Sequence, residues 1–358
     1  MTAPIDLPAP DAGPVSWPDA HRRAAFERWL AALGELSLDP RSVRLASADA
    51  SFRRYLRVQS AHGPRIVMDA PPALEDCRPF VAIARALREA GLNGPEVLAW
   101  NEAEGFLLLG DLGTRPYLAT LQAAQRDGDA ALIERLMRDA VTALVQWQGR
   151  IDASSLPPYD DALLRRELAL FPEWCVRREY GLAWSEAQQS TWRAACDALV
   201  ASALAQPVLA VHRDYMPRNL MLAEPNPGIL DFQDAVRGPV AYDVASLLRD
   251  AFISWDEAQE LDWAVRYWQQ AKAAHLPVDA DFGAFWRSLE WIGLQRHLKV
   301  LGIFCRLKHR DGKPAYAEDL PRFFGYAARV CNRYRELAAL GRLLEAVAGT
   351  ERRIGYTF

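Results

Sequence analysis

The stretch Val208-Leu-Ala-Val-His212-Arg213-Asp214-Tyr-Met-Pro-Arg-Asn219-Leu-Met-Leu222 runs on as Ala223-Glu-Pro-Asn-Pro-Gly228-Ile-Leu-Asp231-Phe-Gln233-Asp234. Residues 208–211 are apolar and suit a short buried strand. They lead into a loop where His, Asp and Asn stand at H-x-D-x-x-x-x-N spacing. Residues 220–222 suit a second short strand, and the Pro/Asn/Gly run 225–228 turns the chain back through Ile229 and Leu230. The resulting hairpin is expected to return Asp231 beside Asn219.

Phosphoryl transfer needs such a set. One carboxylate orients the attacking hydroxyl and takes its proton, while an amide oxygen and a second carboxylate hold Mg²⁺ against phosphates. Asp214 fits the base, and Asn219 and Asp231 fit the metal ligands. Singly, each is weak: a loop aspartate is usually a turn or cap residue, and His212 reads as a core histidine bracing the loop. Spacing, flanking strands and turn together make the set specific.

Outward from this island, the chain divides in character. Residues 1–20 are proline-rich and read as a loose tail. Apolar residues at helical spacing predict a helix over 21–33. Strand-like runs follow at 43–47, 53–58 and 65–69, then a helix over 77–90 with Gly91 as its left-handed cap. Strands at 96–100 and 106–109 complete a strand-rich region, 21–110. Beyond Gly110-Asp-Leu-Gly113 the pattern turns helical: a stripe from Leu132 to Val145, then roughly 160–204, 243–274, 281–305, and from about 320. Most of the tryptophans fall in this half, where such a stripe reads as core.

The composition is that of a globular chain: 358 residues, 51% hydrophobic and 25% charged. A net charge of −4 argues against a general nucleic-acid binder. Five scattered cysteines without a C-x-x-C pair argue against a disulfide framework or zinc site, and for buried thiols in a reducing compartment. No signal peptide or apolar run of membrane-spanning length is visible. The expectation is a cytoplasmic protein without a nucleic-acid or membrane partner. Among 42 basic residues only Lys272, Lys299, Lys308 and Lys313 are lysines, so none precedes Lys272.

His212-Arg213-Asp214 with Asn219, then Asp231-Phe232-Gln233, resembles the catalytic and metal motifs of the protein-kinase-like superfamily, above all its aminoglycoside phosphotransferase and choline kinase branch. Gly238-Pro-Val-Ala-Tyr-Asp243-Val-Ala245 resembles that branch's segment whose aspartate holds the catalytic loop. Leu107-Leu-Leu-Gly-Asp-Leu-Gly113 resembles its interlobe hinge, implying that Leu108 and Leu109 meet the adenine through their backbone. Protein kinases proper fit less well: Asp-Phe-Gln replaces Asp-Phe-Gly, and no G-x-G-x-x-G loop exists. The resemblance implies an α+β, bilobal fold with a small antiparallel-sheet N-terminal lobe (21–110, nucleotide-binding) and a larger helical C-terminal lobe (111–358, catalytic and substrate-binding). ATP and Mg²⁺ are the implied cofactors. Three further stretches, Ala50-Ser-Phe-Arg-Arg-Tyr55, Val67-Met-Asp-Ala-Pro-Pro72 with Glu75-Asp76, and Gly293–Phe304, resemble the anomeric N-acetylmuramate/N-acetylglucosamine kinases of bacterial cell-wall recycling.

One feature departs from the branch. Its third-strand lysine, which reaches the nucleotide phosphates, falls here on Met68 or Asp69. The expectation is a substitute arginine: Arg53 or Arg57 on one face of the second strand, or Arg54 on the other, oriented by Glu75 or Asp69. Backbone N–H groups of 49–52, including Ser51 and Phe52, offer a phosphate cradle. Gln233 and Asp234 are expected to face the acceptor. Arg296, His297, Lys299, Arg306 and Lys308 are either a basic patch that meets a sugar's lactyl carboxylate, through Arg306 above all, or a solvated helix face. Two rivals stay open: a kinase of another small alcohol such as choline or an aminoglycoside, and a non-catalytic nucleotide-binding protein.

Overall fold

The computed structural model describes residues 15–48 and 53–349. The expected cradle residues Ser51 and Phe52 lie outside them, as do residues 1–14 of the expected tail. The chain forms two compact units, one of residues 1–120 with Arg218–Asp234, the other of Leu121–Pro217 with Ala235–Phe358. A boundary after residue 110 was expected; the contacts group 111–120 and the hairpin 218–234 with the first unit.

The first unit opens with α1 (Ala20–Ala32), capped by the Asp19 side chain. A five-stranded antiparallel sheet follows, ordered β1-β2-β3-β5-β4: β1 (Leu38–Ala48), β2 (Arg54–Ser60), β3 (Gly63–Asp69), β4 (Val97–Asn101) and β5 (Phe106–Gly110). Between β3 and β4 lies α2 (Arg78–Glu89). Gly91 follows it at φ +70°, the left-handed stop expected there. β1 starts five residues earlier than the sequence suggested. It is an edge strand whose register slips between Asp39 and Arg44, and this is the position that tolerates Pro40, which has no N–H to donate.

Alternation along the strands divides the sheet's two faces. Leu56, Val58, Val67, Phe106 and Leu108 bury against Ala25, Phe26, Trp29 and Leu30 of α1. Full burial of such side chains is worth about 1.5–3 kcal/mol each. Residues 15–19 are not loose: Trp17 packs on Phe26 with ring centroids 4.8 Å apart, and Arg54 lies over the Trp17 ring. On this same face Asp69, 1% exposed, pairs with both Arg22 and Arg54. The opposite face carries Tyr55, Arg57, Ile66 and Leu109.

The second unit begins within α3 (Tyr117–Asp127). Its helices are α4 (Ala130–Arg150), α5 (Asp161–Leu168), α6 (Glu186–Leu204), α7 (Tyr242–Leu248), α8 (Glu257–Ala273), α9 (Phe282–Asp311), α10 (Leu320–Arg333) and α11 (Ala338–Ala348). Residues Phe171–Glu179 form a π-helix, so the helical run expected over 160–204 is three pieces. The run expected over 243–274 breaks at Asp250, whose carboxylate accepts the backbone N–H groups of Phe252 and Ile253. β6 (Val208–Val211) pairs antiparallel with β9 (Val236–Pro239). Trp147, Trp192, Trp255, Trp263 and Trp291 are core residues, and all five cysteines are buried thiols. No helix of the described residues is long and apolar enough to cross a membrane.

Candidate active site

The hairpin β7 (Leu220–Met221) and β8 (Gly228–Ile229) belongs to the first unit. It is stitched there by backbone bonds from Leu222 N–H to Arg115 carbonyl (2.8 Å) and from Ile229 N–H to Asn93 carbonyl (2.7 Å). The Phe232 ring packs at a tilt against Phe80 of α2 with centroids 4.8 Å apart. The expected return of Asp231 to Asn219 is realised: Leu230 N–H donates to the Asn219 carbonyl, and Asn219 Nδ2 donates to Asp231 Oδ2 at 3.2 Å. Gln233 Nε2 donates to Asp231 Oδ1 at 2.8 Å. Asp231 sits at φ +62°, a conformation that costs a non-glycine residue about 1 kcal/mol or more and that such a network must hold.

Asn219 and Asp231 line a cavity of about 270 Å³ whose other walls include Tyr55, Arg57, Ile66 and Leu109. Its strand side sets apolar Ile66 and Leu109 beside Tyr55 and Arg57, and its hairpin side carries an amide and a carboxylate, a form suited to a flat base with a charged tail. Leu109 faces this cavity. Leu108 faces the α1 core, with its backbone in register between β3 and β4.

The candidate arginines separate. Arg57 forks onto Asp111 (2.6 and 3.1 Å) and reaches the Gly113 carbonyl (3.0 Å), tying β2 to the segment after β5. Arg53 pairs with Glu75, just before α2, at 3.0 Å. Burial opposes the Arg53 charge, yet Tyr55, Glu75 and Asp234 outweigh it and hold its pKa above the ordinary value. Arg54 lies with Asp69 on the α1 face, turned from the cavity. Gln233 is buried and engaged with Asp231, and Asp234 is exposed.

A hard cation takes oxygen ligands, and Mg²⁺ commonly uses one or two protein groups plus substrate phosphates. Asp231 and the Asn219 amide oxygen fit that pattern. Among the described residues no group of three or more His, Cys, Asp or Glu could hold a metal alone, so phosphate oxygens would complete the shell.

Asp214 belongs to the second unit, half-buried on the loop after β6. Trp147 Nε1 donates to the Ala210 carbonyl (3.0 Å) and the Tyr215 hydroxyl to the Ala140 carbonyl (2.8 Å), fixing the loop on α4. His212 is fully buried between the Trp147 and Tyr215 rings, a core histidine as expected. Asp243, at the start of α7, accepts the backbone N–H groups of His212 (2.7 Å) and Arg213 (3.0 Å). Burial pushes its carboxyl up to about 7, against those two N–H groups.

The late basic residues form neither a patch nor a solvated face. Arg296, His297 and Lys299 are buried. His297 stacks on Tyr326 with centroids 4.9 Å apart, Lys299 reaches Glu167, and Lys308 pairs with Glu179 at 2.7 Å. Arg306 is half-buried, and burial lowers its pKa. Glu167 and Asp111 were missed by the sequence reading, because their partners lie 46 and 54 residues away.

The profile of the phosphotransferase enzyme family, APH, matches residues 42–282. An N-acetylmuramate/N-acetylglucosamine kinase of Pseudomonas putida is 54% identical over 303 residues, 85% of this chain and 87% of that protein. One of the same name from Neisseria meningitidis is 45% identical over 315 residues, 87% and 93% of the two chains. Among solved structures, the ADP-bound aminoglycoside phosphotransferase APH(2'')-Ib shares the fold with a TM-score of 0.55 at 14% identity, covering 87% of this chain and 99% of that one. A choline kinase from Cryptosporidium parvum does so with 0.59 at 9% identity, covering 89% and 99%. By profile and by sequence identity, this chain belongs to the phosphotransferase enzyme family.

Proposed function

We propose that this chain is a cytoplasmic kinase that uses ATP and Mg²⁺ to phosphorylate the anomeric hydroxyl of N-acetylmuramate and N-acetylglucosamine, returning cell-wall sugars to use. One observation carries the reading: 45–54% identity to three kinases of that name, with Asp214, Asn219 and Asp231 all present.

In this reading the adenine lies against Ile66 and Leu109 in the cavity. Arg53, steadied by Glu75 and near Asp234, stands in for the absent lysine on the phosphates. Arg57 holds the segment after β5 through Asp111. Asn219 and Asp231 would hold Mg²⁺, which supplies positive charge against the phosphate oxygens. Asp214 orients the sugar C1 hydroxyl and takes its proton as the oxygen bonds the γ-phosphorus. The bond from that phosphorus to the β,γ-bridging oxygen breaks, and ADP leaves. An anomeric hydroxyl is more acidic than an ordinary alcohol, so a plain carboxylate is base enough.

Arg53→Met is expected to raise KM for ATP about 10–100-fold, the worth of one charge-assisted contact, with Arg53→Lys partly restoring it. Steady-state kinetics check this, and an unchanged KM for ATP would remove Arg53 from the phosphate site. A coupled ATP-consumption assay over N-acetylmuramate, N-acetylglucosamine, glucose, choline and kanamycin tests the substrate class. Turnover is expected with the N-acetyl sugars; turnover only with choline or kanamycin would overturn the reading.

A further inference from the structure

Asp243 and Asp250 are fully buried carboxylates, one at each end of α7. Each closes a piece of backbone. Asp243 accepts the N–H groups of His212 and Arg213, the two residues before Asp214. Asp250 accepts those of Phe252 and Ile253, and its Oδ2 has no hydrogen-bond partner among the described residues.

One cation acts on both carboxylates, Arg296 of α9. It is 2% exposed, and its Nη1 is buried with no hydrogen-bond partner among the described residues. A guanidinium buried without countercharge is costly, and so is a carboxylate. Arg296 and the two aspartates offset one another through their fields. Their placement follows from Gly293, three residues before Arg296: a Cβ there would stand 3.5 Å from the Ala245 Cβ. The two helices therefore pack closely, and Arg296 acts on both ends of α7.

Burial pushes the Asp243 carboxyl up to about 7 against its two N–H groups; the Asp214 charge pushes the same way as burial, and Arg296 opposes it. The other titratable neighbours are neutral. Tyr267 of α8 is fully buried and donates its hydroxyl to Gln148, and burial and the Asp243 charge hold its proton. His297, beside Arg296, is kept neutral by burial and by the Arg249 and Arg296 charges. That leaves Arg296 as the positive charge on which the ionisation of Asp243 turns.

We propose that Arg296 is a positioning residue for phosphoryl transfer: its buried charge keeps Asp243 a carboxylate, and so keeps the His212 and Arg213 peptide groups that lead to Asp214 in place. The proposal rests on the phosphotransfer reading of that loop. Protonation turns one Asp243 oxygen into a donor, which then faces an N–H instead of accepting it. The ionised form is thus the loop-holding form, and activity falls as pH drops through its pKa. Stability runs the other way. Native Asp243 keeps its proton to higher pH than the unfolded chain does, so stability falls as pH rises and levels off only above the native pKa. Without the Arg296 charge both changes move to higher pH.

The test follows kcat with N-acetylglucosamine and ATP, and the thermal unfolding midpoint, between about pH 6 and 9, in wild type, Arg296→Met and Arg296→Lys. Arg296→Met is expected to move the acid limb of kcat up by at least about one pH unit. At neutral pH that lowers kcat about fivefold, with recovery toward the alkaline end. KM for ATP is expected to stay within about twofold of wild type. Above neutrality the same variant is expected to lose stability with rising pH more steeply than wild type. Arg296→Lys keeps the charge and is expected to hold the acid limb within about half a unit. A merely structural role lowers kcat of Arg296→Met equally at every pH, and that result overturns the proposal. If Arg296→Met does not fold, Arg296→Lys decides: a limb displaced by about a unit or more despite the retained charge overturns it. Wild type without sugar turnover at any pH overturns the phosphotransfer reading instead. The unfolding data then still decide on Arg296, since midpoints of Arg296→Met and wild type that run parallel against pH overturn its hold on Asp243.

Discussion

Asp214→Asn is expected to bind ATP with unchanged affinity and to turn over about a thousandfold more slowly, within the usual range for loss of a positioned general base. The substitution keeps the side chain's size and removes the carboxylate that we propose orients the hydroxyl and takes its proton. The backbone that presents residue 214 does not depend on that side chain. It is pinned by Asp243 through two N–H groups and by Tyr215 to α4, so thermal stability is expected to change little. ATP affinity by calorimetry, paired with kcat, checks this. Wild-type turnover would show that the proton leaves by another route.

Asp231→Asn is expected to be as damaging by a different cause. Its oxygens accept from the Asn219 and Gln233 amides, so an amide of the same size turns a donor against one of those donors, and the anionic oxygen that a hard cation requires is lost as well. Turnover is expected to fall about a hundredfold or more at ordinary Mg²⁺, with the Mg²⁺ concentration for half-maximal rate rising by at least about tenfold. The two variants therefore separate: raising Mg²⁺ rescues part of the activity of Asp231→Asn and none of that of Asp214→Asn. Equal rescue of both, or of neither, would contradict the division of roles. A Mg²⁺ titration of initial rates reads it directly.

What was legible in the sequence is what the chain writes locally. Asp214, Asn219 and Asp231 fall within one short stretch whose strands and turn declare themselves. The hairpin's return follows from the turn alone, and the bond between Asn219 and Asp231 bears it out. The five sheet strands were visible as short apolar or alternating runs set off by turn residues, and β5, buried at four successive positions, reads as a continuous apolar run. The π-helix at Phe171–Glu179 was not, since over nine residues an apolar pattern does not separate π from α periodicity.

The buried charges were the least legible. Arg296, His297 and Lys299 read as a basic surface because arginine and lysine are rarely buried unless paired. Lys299 has its partner in Glu167, on a helix far away in sequence. The choice among Arg53, Arg54 and Arg57 likewise needed the sheet's faces. Arg54 turns to Asp69 with α1, Arg57 to Asp111, and Arg53 to Glu75, within the field of Asp234. Sequence alternation grouped Arg53 with Arg57, but only the partners tell the two apart.

Everything proposed for this site turns on transfer of phosphate to the C1 oxygen of an N-acetyl amino sugar. The most direct measurement is phosphorus NMR, coupled to protons, on the product formed from N-acetylmuramate, ATP and Mg²⁺. Transfer to C1 gives a single monoester resonance coupled to the anomeric proton and lost on mild acid treatment. A resonance coupled to the C6 protons, stable to that treatment, would contradict it.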